Sequence, residues 1–178
     1  MKNNIIIAAA VITAATLYYK RSILYYGLIS QNDIYKAVDR VVECLGGGAA
    51  AKMLLLETSA AETDMGDAHD LTWNTGIGLM QFDKIGFDDV KIRTSQAKKQ
   101  KVKECFGVDI DKVIHTDLRW SPLLSVIFAR LKYLLVPNAI PNTIGGRAEY
   151  WKRWYNSSLG KGTPEHYLAM AQKNNLIA

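Results

Sequence analysis

Apolar residues recur at helical spacing in two successive segments near the start of the chain. In residues 32–45 the apolar positions that share one helical face are Ile34, Val38, Val41, Val42 and Leu45. The three glycines that follow, residues 46–48, predict the end of that helix. The next segment, AAAKMLLLE, predicts a second helix that closes near Glu57, and loop residues dominate from there to Thr75.

Four further helices are predicted in the rest of the chain. TSQAKKQKVKECFG predicts an amphipathic helix, and SPLLSVIFARLKYLLV is apolar almost all round, which is typical of a central buried helix. RAEYWKRWYNSS predicts another helix, and TPEHYLAMAQKN predicts the last one, with Thr163 as its N-cap and Pro164 at its first position. At most a short β-hairpin fits between residues 64 and 75, so we expect a mainly α fold.

The N-terminal residues differ from the rest of the chain in their polarity. An uncharged apolar run spans residues 5–19 and is followed by Lys20-Arg21. As a helix this run would rise about 22 Å, short of a hydrocarbon core of roughly 30 Å. No small-x-small cleavage site follows it, which favours an uncleaved membrane anchor over a signal peptide. Four tyrosines would lie at the interface: Tyr18, Tyr19, Tyr25 and Tyr26.

Two units are therefore predicted. Residues 1–31 form a hydrophobic anchor with a juxtamembrane segment, and residues 32–178 form a helical domain. The alternative for residues 5–19 is a helix buried against another protein in an assembly.

Charge narrows the classes of partner without selecting one. The 178 residues carry a formal net charge of +5, which favours nucleic acid, a membrane surface or an acidic cell-wall polymer. Lys98 to Lys103, KKQKVK, predict a basic helix face, which is most often simply solvated. Because no aromatic residues are interleaved with these lysines, nucleic acid is the least favoured partner.

The spacing of the histidines and cysteines gives little indication of a chemical role for these residues. The three histidines show neither HxxxH nor HExxH spacing, so no metal site is predicted. Cys44 and Cys105 have no CxxC partner. We interpret them as two unpaired buried thiols, with a disulfide as the alternative if the chain resides in an oxidising compartment.

Glu57 follows three leucines directly, which is an unusual position for a carboxyl group. At the end of a buried helix such a group is partly desolvated, and this raises its pKa and lets it hold a proton near neutral pH. A protonated carboxyl in a cleft is what glycosidic bond cleavage needs to protonate the leaving oxygen. The alternative is a glutamate at a helix end that acts as an N-cap or forms a salt bridge.

Three motifs in order carry a resemblance to a known family. Glu57-Thr58-Ser59, Gly78-Leu79-Met80-Gln81 and Tyr155-Asn156 resemble the motifs of the lysozyme-like lytic transglycosylase superfamily over about residues 49–172. The second motif matches completely. In the first, Thr58 replaces the serine that follows the glutamate and Ser59 supplies one a residue later, and the third keeps only its Tyr-Asn centre.

The resemblance implies a lysozyme-like helical fold and roles for individual residues. Glu57 would be the general acid/base, and Tyr155 would form a hydrogen bond with it. The groove that binds the glycan would be lined or supported by Ser59, Gly78, Met80, Gln81 and Asn156. No cofactor is implied.

The segments MGD (65–67) and GIGLMQFDK (76–84) are also similar to goose-type lysozyme. This similarity indicates Asp67 and Asp83 as candidates for a second catalytic carboxylate. A lytic transglycosylase needs a single acid/base, whereas a hydrolase needs a second carboxylate to activate water. Asp83 could instead cap the helix that follows it. Asp67 belongs to an acidic loop that could be solvated or bind a cation: Glu62, Asp64, Asp67 and Asp70.

The expected function is therefore cleavage of the β-1,4 bond between N-acetylmuramic acid and N-acetylglucosamine in peptidoglycan, most simply by a lytic transglycosylase. The protein would be anchored in a membrane and face the periplasm or cell wall, or belong to a phage virion, with virion or envelope proteins as partners. The alternatives are a goose-type hydrolase that uses Glu57 with an aspartate, and a non-catalytic structural or anchoring protein on the same fold.

Overall fold

A computed structural model describes residues 24–69, 76–156 and 160–177. Within these residues the chain is mainly helical and has no strand beyond one isolated antiparallel bridge between Ile77 and Phe82, so the predicted mainly α class is confirmed. The α-helices are α1 (Asn32–Leu45), α2 (Gly48–Thr63), α3 (Lys84–Arg93), α4 (Gln96–Phe106), α5 (Pro122–Leu134), α6 (Ile144–Trp151) and α7 (Pro164–Lys173). Short 3₁₀ segments span Asp64–Gly66 and His115–Trp120, and a π-helical turn spans Lys152–Asn156.

Two expectations fall on residues that the structure does not describe. The anchor at residues 5–19 lies wholly outside the described range, and the hairpin expected between residues 64 and 75 lies partly outside it. Among the described helices, none is both long enough and apolar enough to cross a membrane.

Helix α2 extends well beyond the position at which the sequence predicts its end. It continues through Glu57 to Thr63, so the expectation of a helix end near Glu57 is wrong. The hydroxyl groups that suggested a loop bond to the helix's own backbone instead, as Thr58 Oγ1 does to the carbonyl of Leu54 at 2.7 Å. The helix ends only where Asp64 adopts a left-handed conformation.

Helix α5 forms the centre of the core, as its apolar sequence predicts. Ser121 caps its N-terminus by accepting a hydrogen bond from the backbone N–H of Leu124. Along the helix, Ser125 through Leu131 are all buried. Helices α1, α2 and α3 all contact it, so α5 supports both α2 and the start of α3.

Residues that precede α1 also pack into the core. Tyr26 and Leu28 are buried, and the backbone N–H of Tyr25 donates to the carbonyl of Gly66 at 2.9 Å. The packed body of the protein therefore includes residues 24–28, which precede the predicted domain start at residue 32.

The two cysteines form a disulfide bond. Cys44 near the end of α1 is bonded to Cys105 near the end of α4, and their Cα atoms are 6.3 Å apart. The interpretation as two unpaired thiols is therefore wrong. The sequence carried no signal for this pair because the two residues are brought together only by the packing of α1 against α4.

Candidate active site

Glu57 is buried in the core and is bound on both of its oxygens. Its side chain is 0% exposed. Arg147 of α6 donates to it twice, from Nε to Oε2 and from Nη2 to Oε1, both at 2.7 Å. Tyr167 of α7 donates its hydroxyl to Oε2 at 2.8 Å. The bond to Glu57 raises the pKa of Arg147, and burial raises the pKa of Tyr167 well above its usual value.

This arrangement joins three helices rather than presenting a carboxyl group to a ligand. The bidentate pairing and the hydroxyl bond leave no exposed oxygen of Glu57 for a substrate. The hydrogen bond predicted between Tyr155 and Glu57 does not form, because the Tyr155 hydroxyl donates to the backbone carbonyl of Met80 at 2.7 Å. Tyr167 takes its place beside Glu57.

Ser59 is likewise placed in the core. It is 0% exposed, and its hydroxyl lies 2.8 Å from the carbonyl of Leu56 and 2.9 Å from the sulfur of Met65. The structure thus separates Ser59 from any surface that a glycan could reach.

Glu62, five residues further along α2, has the properties that were expected of Glu57. Five residues turn an α-helix by about 140°, so Glu62 lies on nearly the opposite side of α2 from Glu57. It occupies the last turn of the helix and is partly exposed. Its Oε1 accepts a hydrogen bond from the indole Nε1 of Trp151 at 2.9 Å.

Burial of the carboxyl group raises the pKa of Glu62 from 4.5 to about 7. The hydrogen bond from Trp151 and the positive charge of Lys132 act in the opposite direction, and both are weaker than the effect of burial. A glutamate with a pKa raised in this way can hold a proton near neutral pH. It is therefore able to donate a proton and to take one back in the same cycle.

Lys132 of α5 lies beneath this site. Its Nζ donates to the backbone carbonyl of Tyr155 at 3.0 Å and lies 4.5 Å from the centre of the Tyr155 ring and 5.3 Å from that of Phe82. Burial lowers the pKa of Lys132, while Asp83 and Glu62 raise it. This partly buried cation therefore interacts with both carboxylates.

The Gly78-Leu79-Met80-Gln81 turn packs directly against the end of α2. Thr63, the neighbour of Glu62, donates its hydroxyl to the carbonyl of Leu79 at 2.8 Å. Gly78 has φ +77°, and a Cβ there would lie 2.2 Å from the carbonyl oxygen of Leu118, so only glycine fits. Met80 is 0% exposed, so it supports the turn from within and is not accessible to a ligand.

The two candidate second carboxylates lie on the surface. Asp83 is exposed and caps α3 by accepting from the backbone N–H of Gly86, so the capping interpretation is confirmed. Asp67 is exposed at the end of the short 3₁₀ segment that follows α2. Its neighbour Asp64 is bound by Lys173 and Asn174 of the C-terminal region. No group of potential metal ligands is found among the described residues.

The π-helical turn after α6 carries the third motif. Tyr155 is 7% exposed, and its ring packs against Phe82 and Tyr133. Asn156 is partly exposed, and its Oδ1 accepts from Lys152 Nζ at 3.0 Å. Turns of this kind are frequent at functional sites, and this one brings Tyr155 onto the turn that holds Gln81.

The basic face of α4 lies away from these residues and is partly neutralised. Lys99 pairs with Asp111 at 2.7 Å, and Lys103 pairs with Asp109 at 3.7 Å. These pairings are consistent with an ordinary solvated helix face.

The structure thus gathers Glu62, the Gly78–Gln81 turn, Lys132 and Tyr155 into one region and leaves Glu57 and Ser59 in the core. Glu62 was expected in the acidic loop, and the sequence signal against this is Ala60-Ala61, which favours continuation of the helix after the leucines without selecting Glu62 over Glu57. The chain matches no protein-family model, no curated protein and no solved structure in the comparisons.

Proposed function

We propose that the protein cleaves the β-1,4 bond between N-acetylmuramic acid and N-acetylglucosamine in peptidoglycan, with Glu62 as the general acid/base in place of Glu57. The observation that carries this proposal is Glu62 in the last turn of α2, a partly exposed residue whose carboxyl has a pKa raised by burial to about 7. Its neighbour Thr63 bonds to the Gly-Leu-Met-Gln turn. The lysozyme-like fold belongs to the same proposal and rests on the order of the three motifs along a helical chain.

In the proposed mechanism, protonated Glu62 donates its proton to the oxygen that leaves the muramic acid ring. The Trp151 indole keeps the carboxyl in one orientation while the proton is transferred. The charge of Lys132 then stabilises the carboxylate that remains. Because the resemblance is to lytic transglycosylases, we favour formation of a bond from the 6-oxygen of the same sugar to its C1, where the bond to the leaving oxygen has broken. The proton of the 6-hydroxyl returns to Glu62, and the product is a 1,6-anhydro sugar.

Asp83 supports hydrolysis as the second candidate reaction. Asp83 is exposed at the N-terminus of α3, and Lys132 interacts electrostatically with both Asp83 and Glu62. The Asp83 side chain would act as the base that activates a water molecule, and the product would then carry a reducing end. The two reactions therefore differ in product mass by one water molecule.

The proposed location is a membrane, through residues 5–19, with the helical domain facing the periplasm or cell wall, or else a phage virion. Residues 24–28 pack on the helical body and follow the apolar run closely in the sequence. The proposed anchor and the helical domain would therefore be joined by a short segment.

The test is mass spectrometry of the muropeptides that the full chain releases from purified peptidoglycan. Glu62→Gln is measured in parallel with a control variant, Glu149→Gln, which makes the same change at an exposed glutamate. Release by the wild type and by Glu149→Gln, with at least a hundredfold less from Glu62→Gln, is the expected result. An active Glu62→Gln protein would show that the acid is elsewhere. No release from a folded wild type would leave a non-catalytic structural protein.

A further inference from the structure

Tyr26 joins the two loops that border the candidate active site. It is 3% exposed and has φ +60°, a conformation that a residue with a side chain adopts only where its surroundings hold it. Its hydroxyl donates to the carbonyl of Ala68 at 3.1 Å and accepts from Gln81 Nε2 at 3.2 Å. One phenol thus bridges the loop after Glu62 and the Gly-Leu-Met-Gln turn.

These hydrogen bonds determine which way the Gln81 amide points. Its Nε2 also donates to the carbonyl of Gly78 at 3.0 Å, and a carbonyl can only accept. The amide nitrogen is therefore directed inward by two acceptors. Within the part of the chain that the structure describes, both hydrogen bonds of this side chain use the nitrogen. Gln81 is partly exposed, so its Oε1 is the atom left to accept from a ligand.

The backbone of Gln81 is also held in an uncommon conformation by its surroundings. Gln81 has φ +44°, a region that residues other than glycine rarely adopt, and such strain is retained at functional sites when neighbouring contacts impose it. The Tyr26 hydroxyl is one of the two acceptors that fix the side chain. The same segment is tied down by the Tyr25 N–H to Gly66 bond and by stacking of Tyr25 on His69 at 4.5 Å.

We propose that Tyr26 is a positioning residue that orients the Gln81 amide so that its Oε1 accepts a hydrogen bond from an N-acetyl N–H or a hydroxyl of the glycan. The inference rests on the proposed function. According to this proposal, the segment around Tyr26 supports the active site and also joins the helical domain to the proposed anchor.

The test compares Tyr26→Phe with Tyr150→Phe in the full chain. Tyr26→Phe removes the hydroxyl and keeps the ring. Tyr150→Phe removes a hydroxyl that donates to the backbone carbonyl of Asn138 at 3.1 Å, which controls for loss of one such bond. Turnover of soluble uncross-linked glycan strands and thermal unfolding are measured for both variants.

Tyr26→Phe is expected to raise KM or lower kcat/KM by roughly tenfold, the value of one well-placed hydrogen bond. Its melting temperature should stay close to that of Tyr150→Phe, whose kcat/KM should be unchanged. In a Gln81→Ala background, Tyr26→Phe should cause no further loss, because its effect is transmitted through Gln81.

Two results would overturn this inference while leaving the proposed function intact. One is an unchanged kcat/KM in Tyr26→Phe beside an active wild type. The other is an undiminished tenfold loss when the Gln81 side chain is already absent, which would mean that Tyr26 acts by another route. An inactive wild type with an intact fold would overturn the proposed function first and this inference with it.

Discussion

Replacement of Glu62 by glutamine is expected to stabilise the protein above neutral pH while removing its proposed activity. The carboxylate form of Glu62 is disfavoured in the folded protein, because burial raises its pKa from 4.5 to about 7. Glutamine keeps an oxygen that can accept from the Trp151 indole but never carries the charge. The variant therefore retains the contact and loses the cost of burying a carboxylate.

The magnitude follows from the pKa difference between folded and unfolded chains. Between pH 4.5 and about 7 the folded protein binds more protons at this site than the unfolded chain does, so the free energy of unfolding falls as pH rises through that window. At about 1.4 kcal/mol per pKa unit, the full difference is about 3 kcal/mol. Partial exposure of the side chain makes this value an upper bound.

The assay is urea unfolding of the full chain in a non-ionic detergent at pH 4 and pH 8. The difference in unfolding free energy between Glu62→Gln and wild type should be larger at pH 8 by up to about 3 kcal/mol. Taking the difference cancels the pH dependence of every other group, and Glu149→Gln reports the effect of removing an exposed carboxyl. A pH-independent difference for Glu62→Gln would refute the raised pKa and the acid role based on it.

Three further predictions test the packing around the site by chemical denaturation. Glu57→Gln should destabilise the protein by about 3–5 kcal/mol, because it leaves the charge of Arg147 unpaired beside the core, and an unchanged midpoint would contradict the structural role of this pair. Gly78→Ala should cost more than about 2 kcal/mol because of its positive φ and the clash of a new Cβ, whereas a wild-type midpoint would show that the turn can rearrange. Reduction of the bond between Cys44 and Cys105 should cost about 4 kcal/mol from the entropy of a loop of this length, and no loss on adding reductant would mean that the bond does not form.

Helix positions were predictable because their signals are local. The apolar spacing of residues 32–45 and the apolar run of α5 led to the observed elements, and Thr163 caps α7 as expected. Each of these signals depends on residues within a few turns of one another. The end of α2 was not predictable in this way, because Thr58 and Ser59 suggest a loop unless their hydroxyls bond to the preceding carbonyls.

The choice between Glu57 and Glu62 could not be made from the sequence for the same reason. Both follow apolar residues in one helix, and the side of the helix that meets the core decides which one is buried. Arg147 lies 90 residues from Glu57, and Trp151 lies 89 residues from Glu62, so neither partner is visible in the local pattern. The same holds for Tyr26, whose partner Gln81 is 55 residues away.

The sequence by itself determined the helical class and the approximate positions of several helices, among them α1, α5 and α7. These depend on backbone preferences and apolar periodicity, which act over a few residues. The tertiary structure alone decided which glutamate meets an arginine and which keeps a raised pKa, and it also decided the pairing of Cys44 with Cys105. Burial and ion pairing arise from contacts between distant parts of the chain, and those contacts exist only once the helices have packed.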